Sequence, residues 1–347
     1  MPEGDSLVRA AHRVRAAFGL DPFTGRRGPD HDPSLSTLTS AELRVPAHAT
    51  AQLVGFQVTS VDPRSKYLLI RLEAPAASPL TGPRELTLLS HLKMEGRWWV
   101  GEMESSAAAP QAPPQPPRWP APAWKVRCVL GTAHRLVLGI ELGLLELLPT
   151  ADEADRLGFL GPDLLDPAWD RDPETAAELL AESVRRLTAD PDRPVGLALL
   201  DQRLVSGIGN IYRCESLLLA GIDPHRRIGD VDDVPGLVLL ARDLLRANVP
   251  PAVPALGHTR TTTQVRPDAA APFGVRVLVR SPRPGVAAPT RAPAGLLAPR
   301  GRPQSSSWVY GHQRQPCFRC RGPVRREDYG SPEDPERQLW WCPRCQT

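Results

Sequence analysis

The stretch Leu-Leu-Asp-Gln-Arg-Leu-Val-Ser-Gly-Ile-Gly-Asn-Ile-Tyr, at residues 199–212, decides the fold of this 347-residue chain. Apolar runs at residues 195–205 and 211–220 are predicted to be helices, joined by the Ser-Gly-Ile-Gly-Asn turn at residues 206–210. Both glycines of the turn permit a tight bend and the close approach of another backbone. Exposed N–H groups at the start of the second helix favour a phosphate, with Asn210 as a further donor. A glycine pair taken alone is more often only a turn.

The two halves of the chain have different periodicities, which predicts an α+β protein of several domains. Residues 43–148 contain short apolar runs separated by turn signals, a pattern typical of an antiparallel β-sandwich. Residues 5–18 have helical spacing and predict an N-terminal helix. The apolar face of this helix carries Leu7, Ala11, Val14 and Phe18. After residue 150 the pattern is helical, with further helices expected at residues 174–187 and 237–247.

Two stretches of biased composition divide the chain. An Ala/Pro/Gln-rich segment at residues 105–123 is predicted to be a disordered loop between strands, and a Pro-rich segment at residues 282–305 is predicted to be a linker. The domains expected from this division are a β-sandwich at residues 1–150, a helical domain at residues 151–281 and a cysteine-rich tail at residues 306–347.

The tail carries two Cys-x-x-Cys pairs separated by 21 residues. They are Cys317, Cys320, Cys342 and Cys345. In a reducing compartment this pattern predicts one structural zinc ion on a β-hairpin, in preference to disulfides or to four unrelated core cysteines. Four thiolates leave no open coordination position, which argues against catalytic zinc. Such a hairpin is expected to have little core of its own, so that metal binding supplies most of its folding energy.

Charge is unevenly distributed, although the formal net charge is only +3. Residues 255–330 contain 13 arginines and three acidic residues. This block indicates a polyanionic partner such as nucleic acid, the alternative being a solvated arginine- and proline-rich tract. Only three of the 42 basic residues are lysines, namely Lys66, Lys93 and Lys125. A lysine kept against this bias is a candidate site residue, because lysine can give up its proton and arginine cannot.

Targeting signals are not evident in the sequence. No run approaches the ~18 consecutive apolar residues of a transmembrane helix. The N-terminus lacks the basic-then-apolar pattern of a signal peptide. We therefore expect a cytoplasmic protein with no membrane partner and with reduced cysteines.

The N-terminus, Met1-Pro2-Glu3-Gly4-Asp5, offers a nucleophile. If Met1 is removed, Pro2 carries a free secondary amine, and α-amino groups titrate near ~8, well below lysine. Such an amine can attack an aldehyde carbon to form an iminium, as lysines do in Schiff-base enzymes. Glu3 is placed beside it as a proton carrier. A proline at position 2 is ordinary, and most chains that have one do not use it as a nucleophile, so this stretch taken alone favours a role without chemistry.

Four stretches together resemble the bacterial formamidopyrimidine-DNA glycosylase and endonuclease VIII family of base-excision repair enzymes. In chain order they are Met1-Pro2-Glu3-Gly4, Arg64-Ser65-Lys66-Tyr67-Leu68-Leu69, the run from Leu199-Leu200-Asp201-Gln202 to Gly207-Ile208-Gly209-Asn210-Ile211-Tyr212, and the run from Pro316-Cys317 to Cys342-Pro-Arg-Cys345-Gln346. The resemblance implies a β-sandwich, a helix-two-turn-helix module and a zinc finger that grip damaged DNA. It implies excision of an oxidised base and strand cleavage by β,δ-elimination, without an organic cofactor. We expect a monomer.

The resemblance also implies roles for individual residues. Pro2 would attack the sugar C1′ and displace the base, and Glu3 would donate and shuttle protons at the opened sugar. Lys66 would be an acid for β-elimination and would contact phosphate. Asn210 and Arg337 would hold the phosphates that flank the lesion, with Arg337 also the proton donor for δ-elimination. A base must leave the stack before its C1′ can be reached.

Lys93 and Met94, in Ser90-His91-Leu92-Lys93-Met94-Glu95-Gly96, match the loop that fills the space left by the flipped nucleotide. Gly4 and Glu95 are more similar to the endonuclease VIII branch, which favours oxidised pyrimidines. Ser6 stands where many family members have an acid, with Asp5 before it.

Two alternatives to a glycosylase/lyase remain open. In the second, the protein on this scaffold is non-catalytic and binds damaged DNA in a zinc-dependent manner. This hypothesis is favoured by Ser6 and by the long insertions. A zinc-ribbon protein that contacts RNA or protein is the third, and it would make the Pro2-Glu3 start and Lys66 coincidental.

Overall fold

The computed structural model describes residues 2–76, 82–103, 119–251, 253–279, 306–332 and 334–347. Two compact units divide the chain. The first contains Pro2 and Ser6–Gly158, and the second contains Glu3–Asp5 and Phe159–Thr347. The short segment Glu3–Asp5 is therefore grouped with residues that follow it by more than 150 positions in the sequence.

Two four-stranded antiparallel sheets form the first unit. Their strands are β1 Ser40–Leu43, β2 Gln57–Arg64, β3 Tyr67–Glu73, β4 Glu85–His91, β5 Arg97–Glu102, β6 Val126–Gly131, β7 Arg135–Ile140 and β8 Leu144–Pro149. One sheet has the order β1-β6-β7-β5 and the other has the order β2-β3-β4-β8. The short helix α2, Glu153–Leu157, ends the unit. The antiparallel arrangement predicted from the turn-separated apolar runs is confirmed.

A single apolar core joins the two sheets and the N-terminal helix α1, Gly4–Ala17. Leu7, Ala11, Val14 and Phe18 are all fully buried in it, as their helical spacing predicts. Burial of each large apolar side chain contributes about 1.5–3 kcal/mol relative to exposure. The sandwich with an N-terminal helix is therefore held mainly by apolar burial.

The second unit is largely helical. Its helices are α3 Pro173–Leu187, α4 Val195–Ala198, α5 Asn210–Ala220 and α6 Val234–Arg246. The helix predicted at residues 195–205 ends at Ala198, and the Asp201 carboxylate accepts the backbone N–H of Arg203 in the turn that follows. Local side-chain capping of this kind competes with helix propagation, which explains the shorter helix.

Two small hairpins complete the second unit. The first, β9 Val265–Pro267 with β10 Val275–Val277, falls in a segment for which only helices are predicted. The second pairs β11 Arg325–Tyr329 with β12 Arg337–Trp341 in the cysteine-rich tail. Leu339, Trp340 and Trp341 are buried in the same core as α5. The hairpin therefore packs on the helices and shares their core, and the expectation that metal binding supplies most of its folding energy stays a prediction.

Parts of two predicted low-complexity segments lie outside the described residues. For the loop predicted at residues 105–123, only residues 119–123 are described, and the linker predicted at residues 282–305 is not described. Within the described ranges, none of the helices combines the length and apolar character that crossing a bilayer requires.

Candidate functional site

Glu3 is completely buried, with no exposed surface. Its carboxylate accepts the backbone N–H groups of Gly209 and Ile211 at 2.8 Å each, and that of Tyr212 at 3.4 Å. These groups are the first N–H donors of α5. They have no partner inside the helix, and the positive end of the helix dipole favours an anion there. Glu3 is thus the N-terminal cap of α5, contributed from 206 residues away.

Glycines make this approach possible. Gly207 has a φ of +95°, a backbone conformation that favours glycine. Its carbonyl accepts the Gly4 N–H at 3.0 Å. A Cβ on Gly209 would collide with the Glu3 carboxyl group. The turn therefore admits another backbone as predicted, but the N–H groups expected to bind phosphate bind the protein's own carboxylate.

The side chain of Gln202 shapes the same turn. Its Nε2 donates to the Ile208 carbonyl at 3.0 Å, and its Oε1 accepts the Gly207 N–H at 3.1 Å. No role is predicted for Gln202 from the sequence beyond its part in the motif. Its position five residues before Gly207 is the signal that identifies it as a turn-bracing side chain.

Asn210 links α5 to the cysteine hairpin. It is 3% exposed, and its Nδ2 donates to the Gln338 carbonyl at 2.6 Å. The fully buried Arg213 donates from one nitrogen to Asn210 Oδ1 at 2.5 Å and to the same carbonyl at 3.1 Å. This link holds β12 next to α5. Arg213 has no role predicted from the sequence, although an arginine buried in a largely apolar helix requires a buried acceptor.

Arg337 precedes Gln338 on β12, so the link through Asn210 also positions it. Its side chain is exposed, and a guanidinium nitrogen donates to the Glu336 carbonyl at 3.4 Å. The structure thus brings two of the predicted phosphate contacts, Asn210 and Arg337, to adjoining elements of one unit. It presents them differently, because only Arg337 is exposed.

Lys66 lies in the two-residue turn between β2 and β3, where Arg64 pairs with Tyr67. The preceding Ser65 is buried and has a φ of +57°, and Lys66 itself is half-buried. Tyr67 pairs in turn with His91 at the end of β4, with ring centroids 5.0 Å apart. The hairpin therefore places Lys66 at the same end of the sheet as the loop that follows β4.

That loop carries Lys93 and Met94, both exposed, with Met94 at 59%. Lys93 has a φ of +52°, and its backbone N–H donates to His91 Nδ1 at 2.9 Å. Burial, together with the positive charges of Lys93 and Lys66, lowers the pKa of His91 to about 4. The last residue of β4, His91, is thus neutral at pH 7, and both lysines contribute to its lowered pKa. No role is predicted for His91 from the sequence.

Pro2 is half-buried and belongs to the first unit, while the next residue, Glu3, belongs to the second. The position of the Pro2 nitrogen is therefore restrained through its peptide bond to a residue that is itself held at the start of α5. Sequence adjacency alone does not provide this restraint, because chain termini fray unless they are tied down.

The four cysteines of the tail converge. Their sulfur atoms all lie within 4.8 Å of one another, with Cys317 and Cys345 at 3.9 Å and Cys320 and Cys342 at 3.4 Å. A tetrahedron with metal–sulfur bonds of ~2.3 Å has sulfur–sulfur edges of about 3.8 Å. The Gly322 N–H also points at the Cys320 sulfur at 3.4 Å. The donor set and its dimensions fit one tetrahedral metal ion.

Known proteins match the chain over its whole length. The family model of the formamidopyrimidine-DNA glycosylase N-terminal domain matches residues 32–139, and that of the formamidopyrimidine-DNA glycosylase H2TH domain matches residues 168–234. The chain is 36% identical to a probable endonuclease 8 2 of Streptomyces coelicolor, with 100% of this chain and 94% of that protein covered. It is 35% identical to the DNA-(apurinic or apyrimidinic site) lyase Nei2 of Mycolicibacterium smegmatis, at 100% and 99% coverage.

Solved structures share the fold. The Lactococcus lactis Fpg (MutM) protein in complex with DNA containing an oxidized pyrimidine has a TM-score of 0.60 at 19% identity, and both chains are covered completely. A complex of the Lactococcus lactis Fpg with DNA containing an abasic site has a TM-score of 0.59 at 18% identity, again over both complete chains.

Proposed function

This chain belongs to the formamidopyrimidine-DNA glycosylase and endonuclease VIII family, and we propose that it is a DNA glycosylase and abasic-site lyase of base-excision repair. Its substrate is damaged DNA, and the damaged bases it removes are oxidised pyrimidines. The similarity to proteins named endonuclease 8 supports this choice of base. The observation that carries the proposal is the burial of Glu3 at the start of α5, because it restrains the adjacent Pro2.

In the first step the Pro2 nitrogen attacks C1′ of the damaged nucleotide. The N–C1′ bond forms, the bond from C1′ to the base breaks, and the base leaves with a proton from water, while the Pro2 nitrogen gives its own proton to the Glu3 carboxylate. The sugar ring then opens to an iminium as Glu3 passes that proton to the ring oxygen. A carboxylate has about four lone-pair sites. Glu3 Oε2 accepts two N–H groups and Oε1 accepts one, so Oε1 keeps a site for this proton.

The iminium makes the C2′ proton acidic, and its loss expels the 3′ phosphate in β-elimination. Lys66 assists this step as the acid, and the turn between β2 and β3 holds it. Arg337 assists δ-elimination, in which the 5′ phosphate leaves, and water then hydrolyses the iminium to free Pro2. Arg337 and Asn210 also hold the phosphates on either side of the lesion, with Asn210 contributing its second amide hydrogen.

Met94 and Lys93 occupy the space of the flipped nucleotide. An exposed apolar side chain on a turn can enter a duplex and replace lost stacking, while a neighbouring cation contacts phosphate. The four cysteines hold one zinc ion, which stabilises the hairpin that carries Arg337 and takes no part in the chemistry. We further propose that the protein works as a cytoplasmic monomer.

Borohydride trapping on abasic-site DNA tests the proposal. The mature protein, with loss of Met1 verified by mass spectrometry, should form a covalent adduct that maps to Pro2. Pro2→Gly retains an amine but loses the secondary amine, and it should trap far less. Lys125→Ala is the matched control, because Lys125 is paired with Glu141 and has no assigned role. A zinc-loaded protein that binds abasic DNA but never traps would instead support the non-catalytic damage-binding alternative.

A further inference from the structure

We propose that Arg260 is a positioning residue that fixes the N-terminal segment through Asp5 and thereby sets the geometry of the Pro2 nucleophile. This inference rests on the proposed function for the identity of the nucleophile. It assigns roles to two residues that have none in the chemistry described above. It also gives a role to Asp5, the acid that precedes Ser6.

The pair is buried and bidentate. Asp5 has no exposed surface, and the Arg260 side chain is 14% exposed. The guanidinium Nε donates to Asp5 Oδ2 at 2.9 Å, and Nη2 donates to Oδ1 at 2.7 Å. Burial by itself would lower the pKa of Arg260, but the Asp5 carboxylate raises it above the ordinary value of arginine. Two parallel charge-assisted hydrogen bonds fix direction as well as distance.

Arg260 also contacts the start of α5. Its guanidinium carbon lies 5.5 Å from the ring centroid of Tyr212, a residue with no exposed surface. The Tyr212 backbone N–H in turn points at the Glu3 carboxylate. One arginine therefore contacts both the acid at position 5 and a residue that holds the acid at position 3.

Three consecutive residues are thus anchored within the second unit. Glu3 is held by N–H groups of α5, Gly4 donates its N–H to the Gly207 carbonyl at 3.0 Å, and Asp5 is held by Arg260. Pro2 is the next residue towards the N-terminus. A terminus anchored at three successive positions loses most of its freedom before substrate arrives. Such preorganisation matters because a displacement of ~1 Å at a reacting atom can cost about 100-fold in rate.

Arg260→Gln and Asp5→Asn each remove half of the pair. We expect each to slow single-turnover trapping on abasic-site DNA on the order of 10- to 100-fold. Affinity for DNA carrying a non-cleavable abasic analogue should change little, since neither side chain is assigned to DNA. Arg260→Lys keeps the charge but loses the bidentate geometry, so its rate should be intermediate. The double variant Asp5→Asn/Arg260→Gln leaves no buried unpaired charge and should recover part of the rate and the melting temperature.

Arg242→Gln is the matched control. Arg242 is also buried, donates to Asp170 at 2.9 Å and lies 5.0 Å from the Trp169 ring centroid in the same unit. It should lower the melting temperature as Arg260→Gln does, without slowing trapping. If Arg260→Gln and Arg242→Gln lose trapping only in proportion to stability, Arg260 is merely structural and the inference is overturned.

Amide hydrogen exchange separates this inference from the proposed function. In the free protein, Arg260→Gln should reduce protection of the Gly209 and Ile211 amides, which donate to Glu3, whereas Arg242→Gln should not. Unchanged protection of these amides would overturn the inference whatever the activity. Reduced protection in a protein whose unaltered form never traps would support the anchoring and refute the lyase.

Discussion

The two units hold their candidate residues in different ways. In the first unit Lys66 lies in the hairpin turn between β2 and β3, and Lys93 and Met94 lie in the loop from β4 to β5; all three are half-buried or exposed. In the second unit Glu3 and Asn210 are buried and hydrogen-bonded to backbone groups of other elements. A side chain on a turn can be removed without disturbing a core. A buried one cannot, because its backbone partners lose their acceptor or donor.

Because of this difference, substitutions in the two units should affect DNA binding and the free energy of unfolding to different extents. Substitutions at the turns of the first unit should change the handling of DNA and leave unfolding unchanged. Substitutions of the buried Glu3 and Asn210 should change both together, since these side chains complete the fold of the second unit. The four predictions below test that contrast, from the largest expected effect to the smallest.

Removal of the metal should have the largest effect. Cys342→Ser, or chelation, should release the metal and abolish binding to abasic-site DNA, because structural zinc contributes on the order of 10 kcal/mol to small metal domains. Since β12 packs on α5, the melting temperature of the whole second unit should fall as well. Metal content, calorimetry and DNA binding would be measured together.

Cys128→Ala is the control for the metal site, because Cys128 is buried in the core of the first unit. It should retain metal and DNA binding. Unaltered DNA binding by metal-free Cys342→Ser protein would remove the hairpin from the DNA-binding surface.

Substitution of Glu3 should have the second-largest effect. Glu3→Ala leaves three N–H groups at the start of α5 without their acceptor, which should cost about 3 kcal/mol in the free energy of unfolding. Glu3→Gln keeps one acceptor oxygen and should cost about 1 kcal/mol, yet it loses the proton carrier. Urea unfolding and trapping, measured on both variants, separate the two roles. Equal stability of Glu3→Ala and the unaltered protein would contradict the capping role.

Substitution of Met94 should affect DNA binding and not stability. Because Met94 is 59% exposed, Met94→Ala should change the free energy of unfolding by no more than about 0.5 kcal/mol. It should weaken binding to abasic-site DNA by about 1 kcal/mol if the side chain replaces stacking. Phe23→Ala, at a 56% exposed residue of the same unit, is the control and should bind normally. Normal binding by Met94→Ala would exclude its role as the inserted side chain.

The smallest expected effect is the contribution of His91 to the pH dependence of stability. Its pKa is lowered to about 4 in the folded protein, mainly by burial, from an ordinary value of 6.5. The unfolded chain therefore binds more protons between these values, and stability should fall as the pH drops from 6.5 towards 4. With allowance for the partial exposure of the ring, the loss should be about 1 kcal/mol. His91→Gln should flatten the pH dependence of urea unfolding over this window, and His134→Gln should not.

Much of the fold follows from local sequence. The spacing of Leu7, Ala11, Val14 and Phe18 predicts α1 correctly, because one helical face needs only local periodicity. The Cys-x-x-Cys pairs predict convergence of four thiolates, because each pair closes its own short turn. The segment at residues 199–205 was predicted to be helical because it is apolar, but the Asp201 side chain ends the helix early.

The candidate site depends far more on the tertiary structure. Motif and resemblance in the sequence alone predict Pro2, Glu3, Lys66, Asn210, Arg337 and the four cysteines as site residues. Only the fold determined that Glu3 caps α5, that Asn210 joins α5 to β12 and that Asp5 pairs with Arg260 across 255 residues. Periodicity and spacing specify what lies within a few turns of the chain. Pairings across hundreds of residues arise only when buried polar groups must find partners inside a folded core.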